Sequence, residues 1–294
     1  MCAGIQENKI HCENCIETMR RMPDNYIDLI VTSPPYDNLR KYNGYSFDFE
    51  AIAKELFRVT TSGGSIIWVV GDKTENQNES LTSFRQALFF QSLGFFVETM
   101  IYEKESITWN ITSLRYKQNF EYMFIFSKGK PKTFNPIRDV SVTNLSPRKA
   151  KAQRNRTQKY EMVIPNEITV RGNIWWYPSG SGSNECHEHP AVFPEKLASE
   201  QIISWSNEGD LIYDPFGGSG TVAKLAHIQG RRWILSEISP EYCKIAKKRI
   251  DPYLRQENLF RPAHGTIRNP AQHLTTAPCC SVEDSHIPEA GTSA

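Results

Sequence analysis

Residues 211–220 read LIYDPFGGSG, an apolar run that ends in a glycine-rich turn. The run has the composition of a buried β-strand, and the residues after the turn predict a helix that stops at Gly230. Glycines between a strand and a helix let a ligand approach the backbone and the free N–H groups of the first helical turn. We therefore expect residues 214–220, which we call the glycine loop, to bind a ligand.

An acidic residue follows the glycine loop at a spacing that nucleoside-binding sites use. Gly218, Gly220 and Ala223 fit the pattern G-x-G-x-x-A, and Glu237 stands 17 residues after Gly220, where the next predicted strand ends. A carboxylate there accepts hydrogen bonds from ribose hydroxyls, so the pattern indicates a nucleoside-bearing cofactor. It suits NAD and S-adenosylmethionine alike, but only one further strand and helix follow, an order that is unusual for a dehydrogenase.

Strands alternate with helices along most of the chain. This order predicts an α/β fold with a mostly parallel, doubly wound sheet. The other predicted strands span residues 27–32, 65–70, 95–102, 120–126 and 233–236. The predicted helices begin near Asp48, residue 79, Pro194, residue 221 and Ser239. Ligands bind to such sheets at the carboxyl ends of the strands, and residues 32–36, 71–72 and 214–220 stand there.

Residues 32–36 read TSPPY and follow the apolar strand 27–32. The two prolines fix an extended backbone, which holds a hydroxyl, a carbonyl and an aromatic ring in one rigid group. Such a group suits a planar base with an exocyclic amine, because the ring stacks on the base while the oxygens accept hydrogen bonds from the amine. A simple strand-ending turn explains this segment equally well when it is taken alone, and its pairing with the glycine loop favours base binding.

The order of these motifs resembles that of DNA amino-methyltransferases of the β arrangement, in which the catalytic loop precedes the cofactor loop. The resemblance covers roughly residues 8–250 apart from 131–172, and it implies a Rossmann-like methyltransferase fold with S-adenosylmethionine as the cofactor. TSPPY is the form typical of N4-cytosine enzymes. The other matching segments are DPFGGSG at 214–220, HPAVFPEKL at 189–197, NFEY at 119–122 and SKG at 127–129.

The resemblance also implies roles for individual residues. The catalytic group would hold the target base, with Asp72 supporting Ser33, and comprises Ser33, Pro34, Pro35, Tyr36 and Asp72. The cofactor-binding group, in which Glu237 would bind the ribose and Phe193 and Lys196 the methionine end, comprises Asp214, Phe216, Gly217, Gly218, Ser219, Gly220, Thr221, Glu237, Phe193, Lys196 and Asn14. The family often has Gly-Asp-Cys near the adenine, where this chain has Glu13-Asn14-Cys15, so that contact would fall to Asn14 or Glu13.

Composition limits the class of protein. The chain has 294 residues, of which 39% are hydrophobic and 23% charged, so we expect a folded core. It lacks both an apolar run of about 20 residues and a signal-peptide pattern, and its seven cysteines are an odd number. We therefore expect a cytoplasmic protein, associated with the nucleoid when bound to DNA, and no membrane partner.

The net charge of +1 conceals a basic segment. Residues 128–171 contain eleven Lys or Arg against three acids, a charge of +8, while the rest of the chain carries 23 basic and 30 acidic residues, a charge of −7. Cations neutralise DNA phosphates, and the resemblance implies target recognition in this interval. The predicted DNA-binding residues are Lys130, Lys132, Arg138, Arg148, Lys149, Lys151, Arg154, Arg156 and Lys159.

These features predict a catalytic domain with one insertion. Its catalytic half would span residues 1–130 and its cofactor-binding half 189–255, with the target-recognition insertion at 131–188 and a flexible tail at 262–294. The Cys and His residues near Cys12 and at 186–189 lack the spacing of four zinc ligands, so we expect no metal site.

The sequence therefore predicts methyl transfer from S-adenosylmethionine to the N4 amine of a cytosine in double-stranded DNA, with the base flipped out of the duplex. The enzyme would act beside a separate restriction endonuclease or as an orphan. N6-adenine methylation stays open, because both bases present an amine beside a ring nitrogen, although Ser33 favours cytosine. A nicotinamide oxidoreductase and a non-catalytic DNA-binding protein are remoter alternatives.

Overall fold

A computed structural model describes residues 4–35, 47–104, 116, 118–140, 168–177 and 193–260. Its central feature is an eight-stranded sheet with the strand order β1-β12-β11-β2-β3-β7-β6-β10. All neighbours in this sheet are parallel except at β7, which runs antiparallel to both β3 and β6. The strands of this sheet are β1 Lys9–His11, β2 Ile27–Thr32, β3 Thr60–Val70, β6 Phe96–Lys104, β7 Phe120–Ser127, β10 Ile174–Tyr177, β11 Leu211–Asp214 and β12 Arg232–Ser236.

Helices cover both faces of the sheet, as the continuous apolar runs of its central strands require. One face packs against α1 (Cys15–Arg20), α2 (Phe49–Val59) and α3 (Thr82–Ser92) through a core centred on Trp68 and Phe90. The other face packs against α4 (Glu195–Trp205), α5 (Thr221–Ile228) and α6 (Pro240–Phe260) through residues such as Leu235 and Trp205. The predicted doubly wound α/β fold is confirmed.

Two small antiparallel pairs lie outside the main sheet. The first is a hairpin of β4 (Thr74–Glu75) and β5 (Asn78–Glu79), which no sequence pattern predicts. The second joins β8 (Arg138–Val140) to β9 (Ile168–Val170) and closes the base of the basic segment. The described residues on either side of 141–167 therefore pair with each other.

The predicted boundaries of the insertion need correction. Residues 174–177, predicted within an insertion at 131–188, form the edge strand β10 and pair in parallel with β6. Trp175 and Tyr177 are buried against the core, while Trp176 is 54% exposed. The part of the chain that departs from the main fold is thus narrower than the sequence predicted. The predicted tail at 262–294 lies outside the described residues.

Local sequence explains several element boundaries. Asp48 caps α2, where its side chain accepts a hydrogen bond from the Ala51 N–H at 3.1 Å, as its position before the apolar helix face predicted. α6 continues through Pro252 and ends at Phe260, ten residues past Ile250, where the sequence predicted its end. Within the described residues, no helix has the length and apolar composition needed to cross a membrane.

Gly217 is fixed by its packing against β12. A Cβ atom at this position would overlap the side chain of Leu235. We expect Gly217→Ala to lower the free energy of unfolding by about 1–3 kcal/mol, as overpacking of a core does. Urea unfolding measures this loss, and Gly172→Ala is the control because a Cβ there meets open space.

A double variant tests whether the overlap is the cause. Gly217→Ala combined with Leu235→Ala should cost less than the sum of the two single changes, because the smaller side chain leaves room for the new methyl group. Simple additivity of the two losses would contradict this explanation.

Candidate active site

The carboxyl ends of five neighbouring strands bring the predicted site residues to one edge of the sheet. In the sheet order β1, β12, β11, β2 and β3, the segments that follow each strand carry Asn14, Glu237, the glycine loop, Ser33 and Asp72. These residues come from both ends of the sequence, yet their strands lie side by side. Such an edge is where ligands bind to doubly wound sheets.

The backbone of the glycine loop is held against the next strand and the last helix. Gly217 donates its N–H to the Ser236 carbonyl at 2.9 Å. Gly218 and Gly220 have φ values of 49° and 78°, in the left-handed region that favours glycine. A Cβ at Gly220 would come within 2.9 Å of the Ala246 Cβ, so α6 sits directly on the loop.

Glu237 is buried beside the glycine loop. Its Oε2 accepts the Gly218 N–H and its Oε1 accepts the Ser239 N–H, each at 2.8 Å. Burial raises the pKa of this carboxyl, while these two hydrogen bonds act in the opposite direction. Each carboxylate oxygen has a second lone pair that can accept a hydroxyl, so the fixed carboxylate fits the diol of a ribose.

A buried hydrogen bond joins the TSPPY segment to the glycine loop. Thr32 Oγ1 donates to Asp214 Oδ1 at 2.7 Å, and the Phe216 N–H donates to the same oxygen at 3.1 Å. After Thr32, Ser33 is half-buried and Pro34 is buried. The start of the TSPPY segment is therefore fixed relative to the glycine loop.

An aromatic wall borders the glycine loop on the α2 side. The half-buried ring of Phe216 packs edge-on against Phe47 and Trp68, with ring centroids 5.6 Å and 6.2 Å away. Edge-to-face packing fixes the orientation of such rings. This wall offers an apolar surface beside the fixed carboxylate of Glu237.

Asp72 is buried at the end of β3. Its carboxylate accepts hydrogen bonds from the Ser83 N–H at 2.9 Å, from Ser83 Oγ at 2.5 Å and from Ser80 Oγ at 3.2 Å. Asp72 thus ties the carboxyl end of β3 to the start of α3. The support of Ser33 by Asp72 stays a prediction.

The remaining predicted cofactor residues lie at the rim of this edge. Asn14 is the N-cap of α1, and its Oδ1 accepts the Ile16 N–H at 2.9 Å. Phe193 is half-buried against the core on the α4 side, and Lys196 is exposed on the first turn of α4. Asn14 is therefore held by its capping bond at the end of the site that Glu237 also borders.

Arg249 of α6 contacts the glycine loop, although it is not among the predicted site residues. Its Nη1 donates to the Ser219 carbonyl and Ser219 Oγ, both at 2.7 Å, and to Thr221 Oγ1 at 3.0 Å. The side chains of Ser219 and Thr221, predicted to bind the cofactor, are thus engaged by α6. Nothing in the local pattern marks this arginine, since charged helix residues are usually exposed.

Lys130 and Lys132 lie at the amino edge of the sheet, where β2 and β3 begin. Ser33 lies at the carboxyl edge, where β2 ends. Lys132 forms an ion pair with Asp28, the second residue of β2, and Lys128 binds the carbonyls of Phe57 and Thr60 near the start of β3. Five strand residues, about 16 Å, separate the level of Asp28 from Ser33. This placement argues against the DNA contact that the sequence predicted for Lys130 and Lys132.

The other predicted DNA-binding residues lie later in the basic segment, from Arg138 to Lys159. Arg138 is exposed on β8, and Tyr36 of the catalytic group lies outside the described residues. The same holds for six predicted DNA-binding residues: Arg148, Lys149, Lys151, Arg154, Arg156 and Lys159. Within the described ranges, no three His, Cys, Asp or Glu side chains group as metal ligands do.

Asp214 gives the site a pH-dependent contribution to stability. Burial raises its pKa to about 7, against the hydrogen bonds from Thr32 and the Phe216 N–H, which lower it. The folded protein holds this proton more tightly than the unfolded chain, whose Asp pKa is about 3.9. The contribution is therefore complete below about pH 4 and is lost as the pH rises through about 7.

We expect Asp214→Asn to remove this loss, which for a shift of this size is on the order of a few kcal/mol. Chemical unfolding of both proteins between pH 4 and pH 8 measures it. As the pH rises from 4 to 8, the variant should become more stable relative to the wild type. A constant difference across that range would contradict the raised pKa.

Comparison with known proteins places this geometry in a family. A family model described as DNA methylase, covering N6 and N4 methyltransferases, matches residues 27–248. The orphan methyltransferase M.BamHII of Bacillus amyloliquefaciens is 51% identical over 242 residues, which cover 79% of this chain and 91% of that protein.

Two solved structures share the fold. The PvuII DNA methyltransferase, described as cytosine-N4-specific, matches with a TM-score of 0.62 at 22% identity. The match covers 87% of this chain and 94% of the PvuII chain. The DNA modification methylase TTHA0409 of Thermus thermophilus, complexed with S-adenosyl-L-methionine, has a TM-score of 0.57 at 22% identity, covering 83% and 93%. With the family match and the M.BamHII relative, the chain belongs to the N6/N4 DNA methylase family.

Proposed function

We propose that this protein transfers a methyl group from S-adenosylmethionine to the N4 amine of cytosine in double-stranded DNA. The methyl donor is S-adenosylmethionine, the ligand of the Thermus thermophilus structure. The proposal rests on one observation above all, the hydrogen bond of 2.7 Å between Thr32 and Asp214. It fixes the residue before Ser33 against the glycine loop, so that base and cofactor sites adjoin.

Adjacent, fixed sites are what this reaction requires. Methyl transfer needs the amine nitrogen, the methyl carbon and the leaving sulfur in line, so positioning contributes much of the rate. The bound donor supplies an electrophilic methyl group on a positively charged sulfur. The protein's part is to hold the two reactants at the correct distance and angle.

Ser33 and its neighbours would present the target amine. The amine of a nucleobase is a poor nucleophile, because its lone pair is conjugated with the ring. The Ser33 hydroxyl and a carbonyl of the Pro34 segment would accept hydrogen bonds from the amine and so orient its lone pair. The Tyr36 ring would stack on the flipped base.

The cofactor would lie along the edge from Asn14 to the glycine loop. The Glu237 carboxylate, fixed by the Gly218 and Ser239 N–H groups, would accept the ribose hydroxyls. Asn14 would face the adenine, and Phe216 would border the ring system. Phe193 and Lys196, at the start of α4, would shape the methionine end.

Ser33 favours cytosine over adenine as the target. In this family, adenine enzymes more often have Asp or Asn at that position. The PvuII DNA methyltransferase, which shares the fold, is described as cytosine-N4-specific. The family includes both N6 and N4 methyltransferases, so adenine is the second candidate. Mass analysis of nucleosides from DNA methylated by the purified protein distinguishes N4-methylcytosine from N6-methyladenine.

The biological role would be DNA modification in the cytoplasm, beside a separate restriction endonuclease or without one. The relative from Bacillus amyloliquefaciens is named an orphan methyltransferase, which favours the second arrangement. Sequencing with modification detection on DNA from cells that express the protein would return both the modified base and its sequence context.

Replacement of Ser33 tests the catalytic assignment. We expect Ser33→Ala to lower kcat on DNA by roughly 10²-fold or more, as loss of a group that orients the reacting atom does. S-adenosylmethionine binding by calorimetry should be retained. Ser62→Ala is the control, because Ser62 is an exposed serine near the opposite edge of the sheet.

Label transfer from methyl-tritiated cofactor gives the readout. Full activity of Ser33→Ala would refute the role of Ser33. A wild-type protein that binds DNA yet transfers no label would refute the proposed reaction altogether.

Neutralising the six cations of residues 148–159 tests whether they form the DNA-binding surface. We expect a combined glutamine variant to weaken DNA binding by more than about tenfold. The slope of log Kd against log salt should become shallower by about 0.9 for each phosphate that the variant no longer neutralises. Fluorescence anisotropy at several salt concentrations measures both quantities, and cofactor affinity should not change. The six substitutions are Arg148→Gln, Lys149→Gln, Lys151→Gln, Arg154→Gln, Arg156→Gln and Lys159→Gln.

The matched control is Lys130→Gln with Lys132→Gln, at the amino edge of the sheet. This pair should leave the DNA affinity and the salt slope unchanged. A loss of DNA affinity in this pair as large as that in the sixfold variant would indicate that DNA also binds at the amino edge.

A further inference from the structure

Arg249 is a buried cation at the junction of three helices. Its side chain is 4% exposed, and it lies on α6, twelve residues after Glu237. Besides its bonds to Ser219 and Thr221, its Nη2 binds Glu195 Oε1 at 2.7 Å. A charge so deeply buried is stable only with fixed partners, and the described residues that bind Arg249 belong to α4, to the glycine loop or to the helix that follows the loop.

Glu195 joins the same network from the other side. It is the first residue of α4, two positions after Phe193, and it also accepts a hydrogen bond of 2.5 Å from Lys224 on α5. Two cations from two helices thus meet on one carboxylate. The segment predicted to shape the methionine end of the cofactor is thereby tied to the helix that starts at the glycine loop.

The contact to the Ser219 carbonyl bears directly on the shape of the loop. Ser219 stands between Gly218 and Gly220, whose φ values of 49° and 78° lie in the left-handed region. Glycine peptides have more conformational freedom than any others, so this part of the loop needs an external restraint. Arg249 supplies it through two hydrogen bonds of 2.7 Å to Ser219.

We propose that Arg249 is a positioning residue for the cofactor: it fixes the glycine loop against the start of α4 and so sets the affinity for S-adenosylmethionine. This role rests on the proposed function. Arg249 acts through Ser219 of the glycine loop and through Glu195, which stands between the predicted cofactor residues Phe193 and Lys196, and its planar fork binds several acceptors at once. Lysine has the charge but lacks this fork, so it cannot replace the arginine.

The test compares Arg249→Lys with Arg58→Lys in the full chain. Arg58 is a matched control: it too binds several groups, donating to the Met19 and Met22 carbonyls and pairing with Glu55, but at the opposite edge of the sheet. Calorimetry without DNA gives the Kd for S-adenosylmethionine and for its demethylated product, S-adenosylhomocysteine. Thermal unfolding gives the loss of stability in each variant.

We expect Arg249→Lys to raise both Kd values about tenfold or more, the usual effect of losing a hydrogen bond to a charged group. Arg58→Lys should lower Tm yet change either Kd less than about twofold. In turnover assays, Arg249→Lys should raise the KM for the cofactor while kcat at saturation stays near that of the wild type.

An unchanged Kd in a folded Arg249→Lys protein would overturn the proposal, as would an equal rise in Arg58→Lys. If Arg249→Lys does not fold, Glu195→Gln gives the answer, since it removes the charge that pairs with Arg249, preserves side-chain shape and changes no predicted cofactor-binding residue. Its Kd should rise severalfold, and an unchanged value would again refute the role. A wild-type protein that binds no S-adenosylmethionine would instead refute the proposed function.

Discussion

The hydrogen bond from Thr32 to Asp214 is the contact on which the site depends. It joins two residues that are 182 positions apart in the sequence. Thr32 is the last residue of β2 and Asp214 the last residue of β11, so the bond ties two parallel neighbours at the points where their functional loops begin. Because both residues are buried, the bond is shielded from water and holds the spacing between the loops.

The sheet order explains how distant segments build one site. Along the chain, the TSPPY segment comes nearly two hundred residues before the glycine loop, with α2, α3 and the basic segment between them. In the sheet, β11 and β12 insert between β1 and β2, so the proposed cofactor site is bordered by residues from early and late parts of the chain. The late position of the glycine loop, unusual for a dehydrogenase, follows from this order.

Local patterns predicted the parts of the fold that depend on local interactions. The strand Ile27–Thr32 has the bounds that its apolar run predicted, and α2 begins after its capping residue Asp48. The strand β1 was missed because its three residues form a strand only through pairing with β12. The hairpin at 74–79 was missed because its turn uses Asn76 and Gln77 at positive φ, without the glycine that usually marks such turns.

The site was predictable where a motif carries it and not where a long-range contact does. The glycine loop and Glu237 stand together at the carboxyl edge, as their spacing indicated. Arg249 could not be found in this way, because its burial depends on Ser219, Thr221 and Glu195, which reach it from other elements. An arginine in a helix is ordinarily exposed, and only the fold reveals this exception.

Long-range contacts also change how the charge of the basic segment is interpreted. The charge of +8 over residues 128–171 counts every cation as available to DNA, but among the described residues of this segment three cations bind partners within the protein. Lys128 and Lys132 bind the amino edge of the sheet, and Arg171 pairs with Asp139 and Glu200. Net charge therefore overstates the surface that can meet a phosphate backbone. The basic residues between β8 and β9 provide most of the charge that remains, and Arg171, which directly follows β9, binds Glu200 of α4.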